Sequence, residues 1–241
     1  MPVLKELVFT FKVLKPFTMK APKALLFDLD GTLIDSEFFH FECWNEILTE
    51  SGAKLTYEDW LKNYAGVPLP TNAARLVEKY GIDKPLPQII ERREKLTLER
   101  LKTKDVNLMP HVADVLEYFH QNALILALVT SSPRQDVEAV FERNGLGKYF
   151  KLIITRTEVT KSKPDPESYL VCVEKLGLQK EECLVFEDTI NGVKSAKAAG
   201  LTCFAIQSNT DEHDKLTIAD KLFLDFKEVK DYLVNNRLIA A

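Results

Sequence analysis

The sequence predicts a doubly wound α/β fold, in which a parallel sheet carries an all-helical insertion. Short, continuous apolar runs alternate with segments of helical periodicity, as expected for strands that are buried on both faces. Strands separated by helices of this length imply right-handed crossovers and a parallel sheet with helices on both sides. The stretch from residue 36 to residue 106 contains only helical patterns, and it interrupts the alternation directly after the first strand.

The first strand runs from Ala24 into the acidic stretch Asp28-Leu29-Asp30-Gly31-Thr32. Side chains alternate along an extended backbone, so Asp28 and Asp30 are expected on the same side, with their carboxylates crowded together. Two like charges that close raise each other's pKa unless a cation lies between them or one of them is protonated. The alternative is a strand followed by an ordinary acidic turn, because Asp-Gly is a common turn pair.

The insertion is interpreted as a helical cap domain, residues 36–106. Its apolar residues recur at helical spacing, and glycines and prolines separate its segments. The pattern predicts helices over residues 37–51, 57–64, 72–80 and 87–104, with a loop over residues 66–70.

The rest of the chain is interpreted as one α/β core domain, residues 19–35 and 107–241, preceded by an N-terminal extension, residues 1–18. Ser132 is predicted to cap a helix that begins at Pro133, by the usual preference for hydroxyls before such a proline. Strands are predicted over residues 123–130, 151–155, 183–187, 202–206 and 221–224, and helices over residues 112–122, 133–145, 165–177, 191–199 and 227–234.

Composition excludes several classes of protein. The 32 basic and 36 acidic side chains give a net charge of −4, which supplies no general positive field for nucleic acid. No apolar run approaches the length of a membrane-spanning helix, and the N-terminus lacks the features of a secretory signal, although a targeting arm is an alternative there. The four scattered cysteines favour a reduced, cytoplasmic protein.

Chemically active residues follow four of the predicted strands. Ligands bind at the carboxyl ends of the strands in an open parallel sheet, so these residues are expected on one rim. Each has an ordinary explanation taken singly, as a helix cap, a solvated turn or a surface charge, but their joint occurrence favours a site. The groups are Asp28 and Asp30, then Thr130-Ser131-Ser132, then Lys163, then Glu187-Asp188.

In order and spacing, these residues resemble the four motifs of the haloacid dehalogenase (HAD) superfamily, over about residues 24–206. The resemblance implies the HAD-like Rossmannoid core. Within the superfamily, the early helical insertion resembles the helical-cap subgroup of beta-phosphoglucomutases and sugar-phosphate phosphatases. The segment from Asp35 to Trp44 resembles the corresponding part of beta-phosphoglucomutase closely.

The resemblance implies a role for each motif residue. Asp28 is the expected nucleophile, which forms an aspartyl-phosphate, and Asp30 is the expected acid and base. A magnesium ion is implied, bound by oxygen ligands as this cation prefers. Its expected ligands are Asp28, the carbonyl of Asp30, Asp188 and, directly or through water, Glu187. The expected phosphate-binding groups are the hydroxyl of Thr130, the backbone amide of Ser131 and the ammonium of Lys163.

The cap is expected to set the specificity, with His40, Trp44 and Arg75 as candidate residues. His40 is interpreted as coupling closure to proton transfer, the alternative being one polar face of an amphipathic helix; Trp44 is interpreted as packing. Beta-phosphoglucomutase carries an arginine in the loop that corresponds to residues 66–70, where this chain has no cation. Arg75 on the next helix and Lys62 just before the loop are the two alternative substitutes.

The sequence therefore favours a magnesium-dependent phosphatase that acts on a small phosphorylated metabolite, expected to be a sugar or polyol phosphate. The alternative is a hexose-phosphate mutase of the beta-phosphoglucomutase type, and a non-catalytic phosphate-binding protein is a third possibility. The protein is expected to be a monomer or weak dimer, with no nucleic-acid or membrane partner.

Overall fold

A six-stranded, wholly parallel sheet forms the centre of the computed structural model, which describes residues 19–104 and 106–240 of the chain. The predicted N-terminal extension, residues 1–18, lies outside the described residues. The strand order is β3-β2-β1-β4-β5-β6, which is the doubly wound order that places a crevice beside β1. The strands are β1 (Ala24–Phe27), β2 (Ile125–Val129), β3 (Phe150–Ile154), β4 (Cys183–Glu187), β5 (Thr202–Ile206) and β6 (Lys221–Phe223).

Helices follow the strands and cover both faces of the sheet. The first four lie between β1 and β2, and a fifth leads into β2. The helices are α1 (Glu37–Thr49), α2 (Tyr57–Asn63), α3 (Leu69–Tyr80), α4 (Leu86–Thr103), α5 (Val112–Gln121), α6 (Arg134–Asn144), α7 (Glu167–Leu176), α8 (Ile190–Ala198) and α9 (Phe226–Asn235).

Alternation along β1 divides the core into two layers. Leu25 and Phe27 pack on one face with residues of α5, α6 and α9, and Phe27 lies 5.0 Å, ring centre to ring centre, from Phe186. Ala24 and Leu26 pack on the other face with residues of α7 and α8. All four residues of β1 are fully buried, so this strand is fixed from both sides. The predicted α/β fold is confirmed.

Several predicted boundaries are corrected by the structure. The third helix begins at Leu69 rather than residue 72, because the prolines at 68 and 70 fit the start of a helix as well as a loop. The second strand begins at Ile125, since Ala123 has a positive φ of 56° that an extended strand does not accommodate. Ser132 is not a helix cap: Pro133 occupies the cap position, and the Ser132 hydroxyl is bonded elsewhere.

The four-helix segment, α1–α4, is joined to the α/β core by two linkers that pair with each other. The amide of Asp35 donates to the carbonyl of Asn107 at 2.8 Å, and the amide of Met109 donates to the carbonyl of Leu33 at 2.9 Å. Ile34 and Leu108 form an isolated antiparallel bridge between these bonds. Both linkers therefore run side by side at one place, directly beside the acidic stretch after β1.

Within residues 19–104 and 106–240, no helix is both long enough and apolar enough to span a membrane.

Candidate active site

Asp28 directly follows β1, and its carboxylate is buried against Lys163. The ammonium of Lys163 donates to Asp28 Oδ1 at 2.5 Å, to Glu187 Oε1 at 2.6 Å and to the carbonyl of Val129 at 2.8 Å. Burial raises the pKa of Asp28 to about 7, and the charge of Lys163 opposes that rise. Although burial alone would lower it, the two carboxylates raise the pKa of Lys163 above its ordinary value. Lys163 thus neutralises charge at the ends of two adjacent strands.

Glu187, the last residue of β4, is held from three sides. Tyr169 Oη donates to the same Oε1 that receives Lys163, at 2.5 Å. A side chain at Gly192 would collide with this carboxylate, since a Cβ there would lie 1.8 Å from Glu187 Oε2. Oε2 itself is buried and has no hydrogen-bond partner among the described residues. Tyr169 and Gly192 were not predicted; the signal was the position of Tyr169 on the buried face of α7.

Asp188 completes a cluster of three carboxylates with Asp28 and Glu187, in which one oxygen atom from each residue lies within 4.8 Å of the other two. Gly31, with φ of 74°, makes room for it, because a Cβ at that position would lie 2.0 Å from Asp188 Oδ2. Thr32 Oγ1 donates to Asp188 Oδ1 at 3.2 Å. Burial and the two neighbouring carboxylates raise the pKa of Asp188 well above its ordinary value.

This cluster fits a hard divalent cation on two grounds. All its donors are carboxylate oxygens, which magnesium prefers, and one of them, Glu187 Oε2, is buried without a partner. Among the described residues, three acidic groups also face the one ammonium of Lys163, so an added positive charge would offset their repulsion. The carboxylate crowding expected after β1 is therefore present, with Asp188 as its third member.

The Asp30 carboxylate lies apart from that cluster and has partners of its own. Ser132 Oγ donates to Asp30 Oδ2 at 2.6 Å, and His40 Nε2 lies 3.3 Å from Asp30 Oδ1. Burial alone would raise the pKa of Asp30, but hydrogen bonds from His40 and Ser132 lower it to about 2. The two aspartates of the acidic stretch thus have different partners: Asp28 faces the ammonium of Lys163, and Asp30 faces the imidazole of His40 and the hydroxyl of Ser132.

His40 is positioned by Arg93, a residue of α4 that belongs to none of the predicted motifs. Arg93 Nη2 lies 3.1 Å from His40 Nδ1 and 3.4 Å from the carbonyl of His40. Arginine cannot accept a hydrogen bond, so Nδ1 of His40 is the acceptor and Nε2 carries the proton that faces Asp30. The guanidinium lies 5.6 Å from the ring centre of Trp44, which is buried as packing.

Thr130 and Ser131 follow β2 beside the same crevice. Thr130 is 2% exposed, and its hydroxyl oxygen accepts from the amide of Ser132 at 3.0 Å, which leaves the hydroxyl proton free to be donated. Ser131 is exposed at the turn, and α6 begins three residues later. The polar groups predicted to share one rim therefore lie at the carboxyl ends of β1, β2 and β4, and Lys163 reaches them from the loop after β3.

The loop between α2 and α3 covers part of this rim. The amide of Gly66 donates to Glu37 at 3.3 Å, and Trp60 Nε1 donates to the same carboxylate at 2.8 Å. A Cβ at Gly66 would lie 3.2 Å from the methyl group of Thr189, the residue after Asp188. The four-helix segment thus contacts the core directly beside the acidic cluster.

Arg75 lies elsewhere. Its guanidinium donates to the carbonyl of Asn63 at 3.3 Å, and it lines an open depression on the four-helix segment together with Tyr64, Glu78 and Lys79. No hydrogen bond or ion pair described for Arg75 joins it to the rim of the sheet.

The fold and this constellation define a class of hydrolase, and sequence comparison agrees. The profile of the family described as haloacid dehalogenase-like hydrolase matches residues 25–206. The chain belongs to that family.

Individual relatives are phosphatases. A "phosphorylated carbohydrates phosphatase" of Thermotoga maritima is 33% identical over 183 residues, which cover 74% of this chain and 82% of the relative. The "fructose-1-phosphate phosphatase YqaB" of Escherichia coli is 30% identical, with 73% of this chain and 92% of the relative covered. The protein is accordingly a hydrolase of the phosphatase class.

Solved structures of the same architecture include a protein from Thermotoga maritima provisionally named a beta-phosphoglucomutase. It is 29% identical, with a TM-score of 0.74, and the match covers 88% of this chain and 99% of that one.

Proposed function

We propose that the protein is a magnesium-dependent phosphatase of small sugar or polyol phosphates, which works through an aspartyl-phosphate on Asp28. One observation carries this proposal. Two carboxylates from the same turn have distinct partners, Lys163 on Asp28 and the pair His40 and Ser132 on Asp30. That division suits a nucleophile and a separate acid–base group.

In the first step, an oxygen of Asp28 attacks phosphorus and the ester P–O bond breaks. Lys163 occupies Oδ1, and no described residue donates a hydrogen bond to Oδ2, so Oδ2 is the oxygen available for attack. The Thr130 hydroxyl and the Ser131 amide donate to the transferring phosphoryl oxygens. Lys163 would offset the negative charge that accumulates on the phosphoryl oxygens and on the carboxylates around them.

Asp30 gives the proton that the departing oxygen needs, and in the second step it takes one from the attacking water. In this structure its hydrogen bonds favour the carboxylate, which is the form the second step requires. A phosphate dianion beside Asp30 would raise its pKa, because like charges disfavour the ionised form. Substrate binding would thereby favour the protonated form of Asp30, which the first step requires.

Asp28, Asp188 and the carbonyl of Asp30 would hold magnesium, with Glu187 as a direct or water-mediated ligand. When bound, the ion supplies positive charge to the phosphoryl oxygens and to the crowded carboxylates.

The four-helix segment, residues 36–106, would act as a cap that opens and closes about the paired linkers. Its loop at Gly66 lies against Thr189, and its residues His40 and Arg93 reach Asp30, so closure would complete the acid–base group and exclude water. Two relatives act on phosphorylated sugars, as their names state, which supports substrates of that class.

Phosphate release from a panel of phosphorylated sugars, polyols and nucleotides, with and without magnesium, tests the proposal. We expect turnover of sugar or polyol phosphates that EDTA abolishes and magnesium restores. Activity that survives EDTA would overturn the metal requirement, and the absence of turnover on the whole panel would overturn the function.

The mutase alternative rests on the likeness to the Thermotoga maritima structure and on the contact between His40 and Asp30. A mutase must hold a second phosphate, yet Arg75 donates to Asn63 and lines a depression of the four-helix segment. A coupled assay with beta-glucose 1-phosphate and a bisphosphate primer separates the two. Efficient formation of glucose 6-phosphate would favour the mutase.

A further inference from the structure

A third carboxyl, that of Asp136, is buried beside the acid–base group. Asp136 is the third residue of α6 and is 8% exposed, whereas the other acids of the helix, Glu138 and Glu142, are exposed. Its Oδ1 has no hydrogen-bond partner among the described residues. An acid in a first turn is ordinarily stabilised by the helix dipole while it remains in water. Burial without a partner therefore needs another explanation.

Asp136 lies on the seam between the α/β core and the four-helix segment, at a cavity of about 20 Å³ that is large enough for one water molecule. The core contributes Asp30 and Ser132 to this cavity, and the segment contributes His40 and Thr97. The groups that meet here are thus the acid–base carboxyl, both of its hydrogen-bonding partners and Asp136.

Arg93 is the buried cation on the opposite side of that seam. It is 4% exposed, and its hydrogen bonds go to neutral acceptors, the carbonyl and Nδ1 of His40 and the hydroxyl of Thr97. No carboxylate lies within ion-pair distance of it among the described residues. A buried guanidinium needs opposite charge to offset its lost hydration. Asp136 lines the same cavity as Thr97 and His40, the two residues that Arg93 bonds, and the charges of Asp136 and Asp30 oppose the fall in the pKa of Arg93 that burial causes.

We propose that Asp136 is a positioning residue for Asp30: its charge retains Arg93 at the seam, and Arg93 holds the imidazole of His40 against the acid–base carboxyl. Asp136 belongs to the core while Arg93 and His40 belong to the four-helix segment, so the arrangement forms only when the two parts meet. This inference rests on the proposed function, because it assigns Asp30 the transfer of a proton to the leaving group.

The variant Asp136→Asn tests the proposal, with leaving groups that differ in their need for a proton. An alkoxide leaves only when protonated, whereas p-nitrophenolate leaves without help, so a defect in Asp30 should appear with alkyl esters alone. The value of kcat/KM reports on the first phosphoryl transfer. We therefore compare fructose 1-phosphate and glucose 6-phosphate with p-nitrophenyl phosphate.

For Asp136→Asn, we expect kcat/KM for the alkyl esters to fall by about tenfold or more and that for p-nitrophenyl phosphate to change by less than about twofold. Asp136→Glu, which keeps the charge, should recover part of the loss. Asp114→Asn is the matched control, since Asp114 is also a first-turn acid, in α5, but is exposed. It should leave all three values unchanged.

Equal losses on both kinds of ester, or no loss on either, would overturn the role of Asp136 and leave the proposed function intact. A wild-type enzyme that turned over no alkyl phosphate of the whole panel would overturn the proposed function and this inference with it; if another member of the panel is turned over, it replaces these two esters in the comparison. If the Asn variant did not fold, Asp136→Ser would provide the same comparison.

Discussion

Replacement of Gly192 by alanine tests how tightly the site is built. In α8, such a change ordinarily stabilises a helix by about 1 kcal/mol, because alanine has the higher helix propensity. Here the added Cβ would lie 1.8 Å from Glu187 Oε2 and 2.0 Å from its Cδ, so the buried carboxylate must move. Moving it breaks the hydrogen bonds from Lys163 at 2.6 Å and Tyr169 at 2.5 Å.

Hydrogen bonds to a charged group contribute about 1.5–3 kcal/mol each, so the loss outweighs the gain in helix propensity by about 2–5 kcal/mol. That corresponds to a fall in melting temperature on the order of 10 °C for a domain of this size. Differential scanning calorimetry and phosphate release should both register the change. Gly147→Ala is the control, since a Cβ there meets nothing within 4 Å. A Gly192→Ala protein as stable and active as wild type would refute the packing argument.

Three further outcomes are expected. Lys163→Met should lose phosphatase activity and about 3–5 kcal/mol of unfolding free energy in urea titrations, because it leaves two buried carboxylates without their cation; wild-type stability would contradict this. Burial raises the pKa of Asp136 from 3.8 to about 6, so the folded state binds this proton more readily than the unfolded chain, and stability falls as the pH rises between those values. Asp136→Asn lacks that ionisation, so its unfolding free energy minus that of wild type should rise by about 2 kcal/mol from pH 4 to pH 8, as measured by denaturant unfolding. A difference that does not change with pH would count against a buried ionisable carboxyl. Glu94→Gln should change the free energy of unfolding by less than about 1 kcal/mol, since the 2.7 Å ion pair of Glu94 with Arg156 is about one-third exposed. A loss above about 2 kcal/mol in thermal melts would show that this contact between the four-helix segment and the core is stronger than its exposure implies.

The rim of the sheet could be predicted because its residues come directly after strands. Asp28 and Glu187 each end an apolar run, and parallel strands bring such positions to one edge without further information. The hydroxyl of Ser132 shows the limit of that logic. Its place before a proline predicted a cap, but the short turn after β2 directs it to Asp30 instead, at 2.6 Å.

Residues that reach the site from helices were harder to find. Arg93 lies among charged neighbours in α4, a pattern that is typical of a solvated helix face. It nevertheless falls on the buried stripe with Ile89 and Leu96, four residues after one and three before the other, and a cation on an apolar stripe is the signal that could have identified it. Asp136 likewise precedes Val137 on the buried face of α6. Which charge such residues meet depends on how the segment packs on the core, which no local pattern records.

The covalent intermediate on Asp28 is the central claim, and its direct detection is the most direct test. The enzyme would be mixed with substrate and magnesium, quenched in acid during turnover, digested and examined by mass spectrometry. The account predicts a phosphoryl group on the peptide that contains Asp28, and neither phosphoryl group nor turnover in a folded Asp28→Asn variant. A variant that still released phosphate, or a phosphoryl group on another residue, would contradict it.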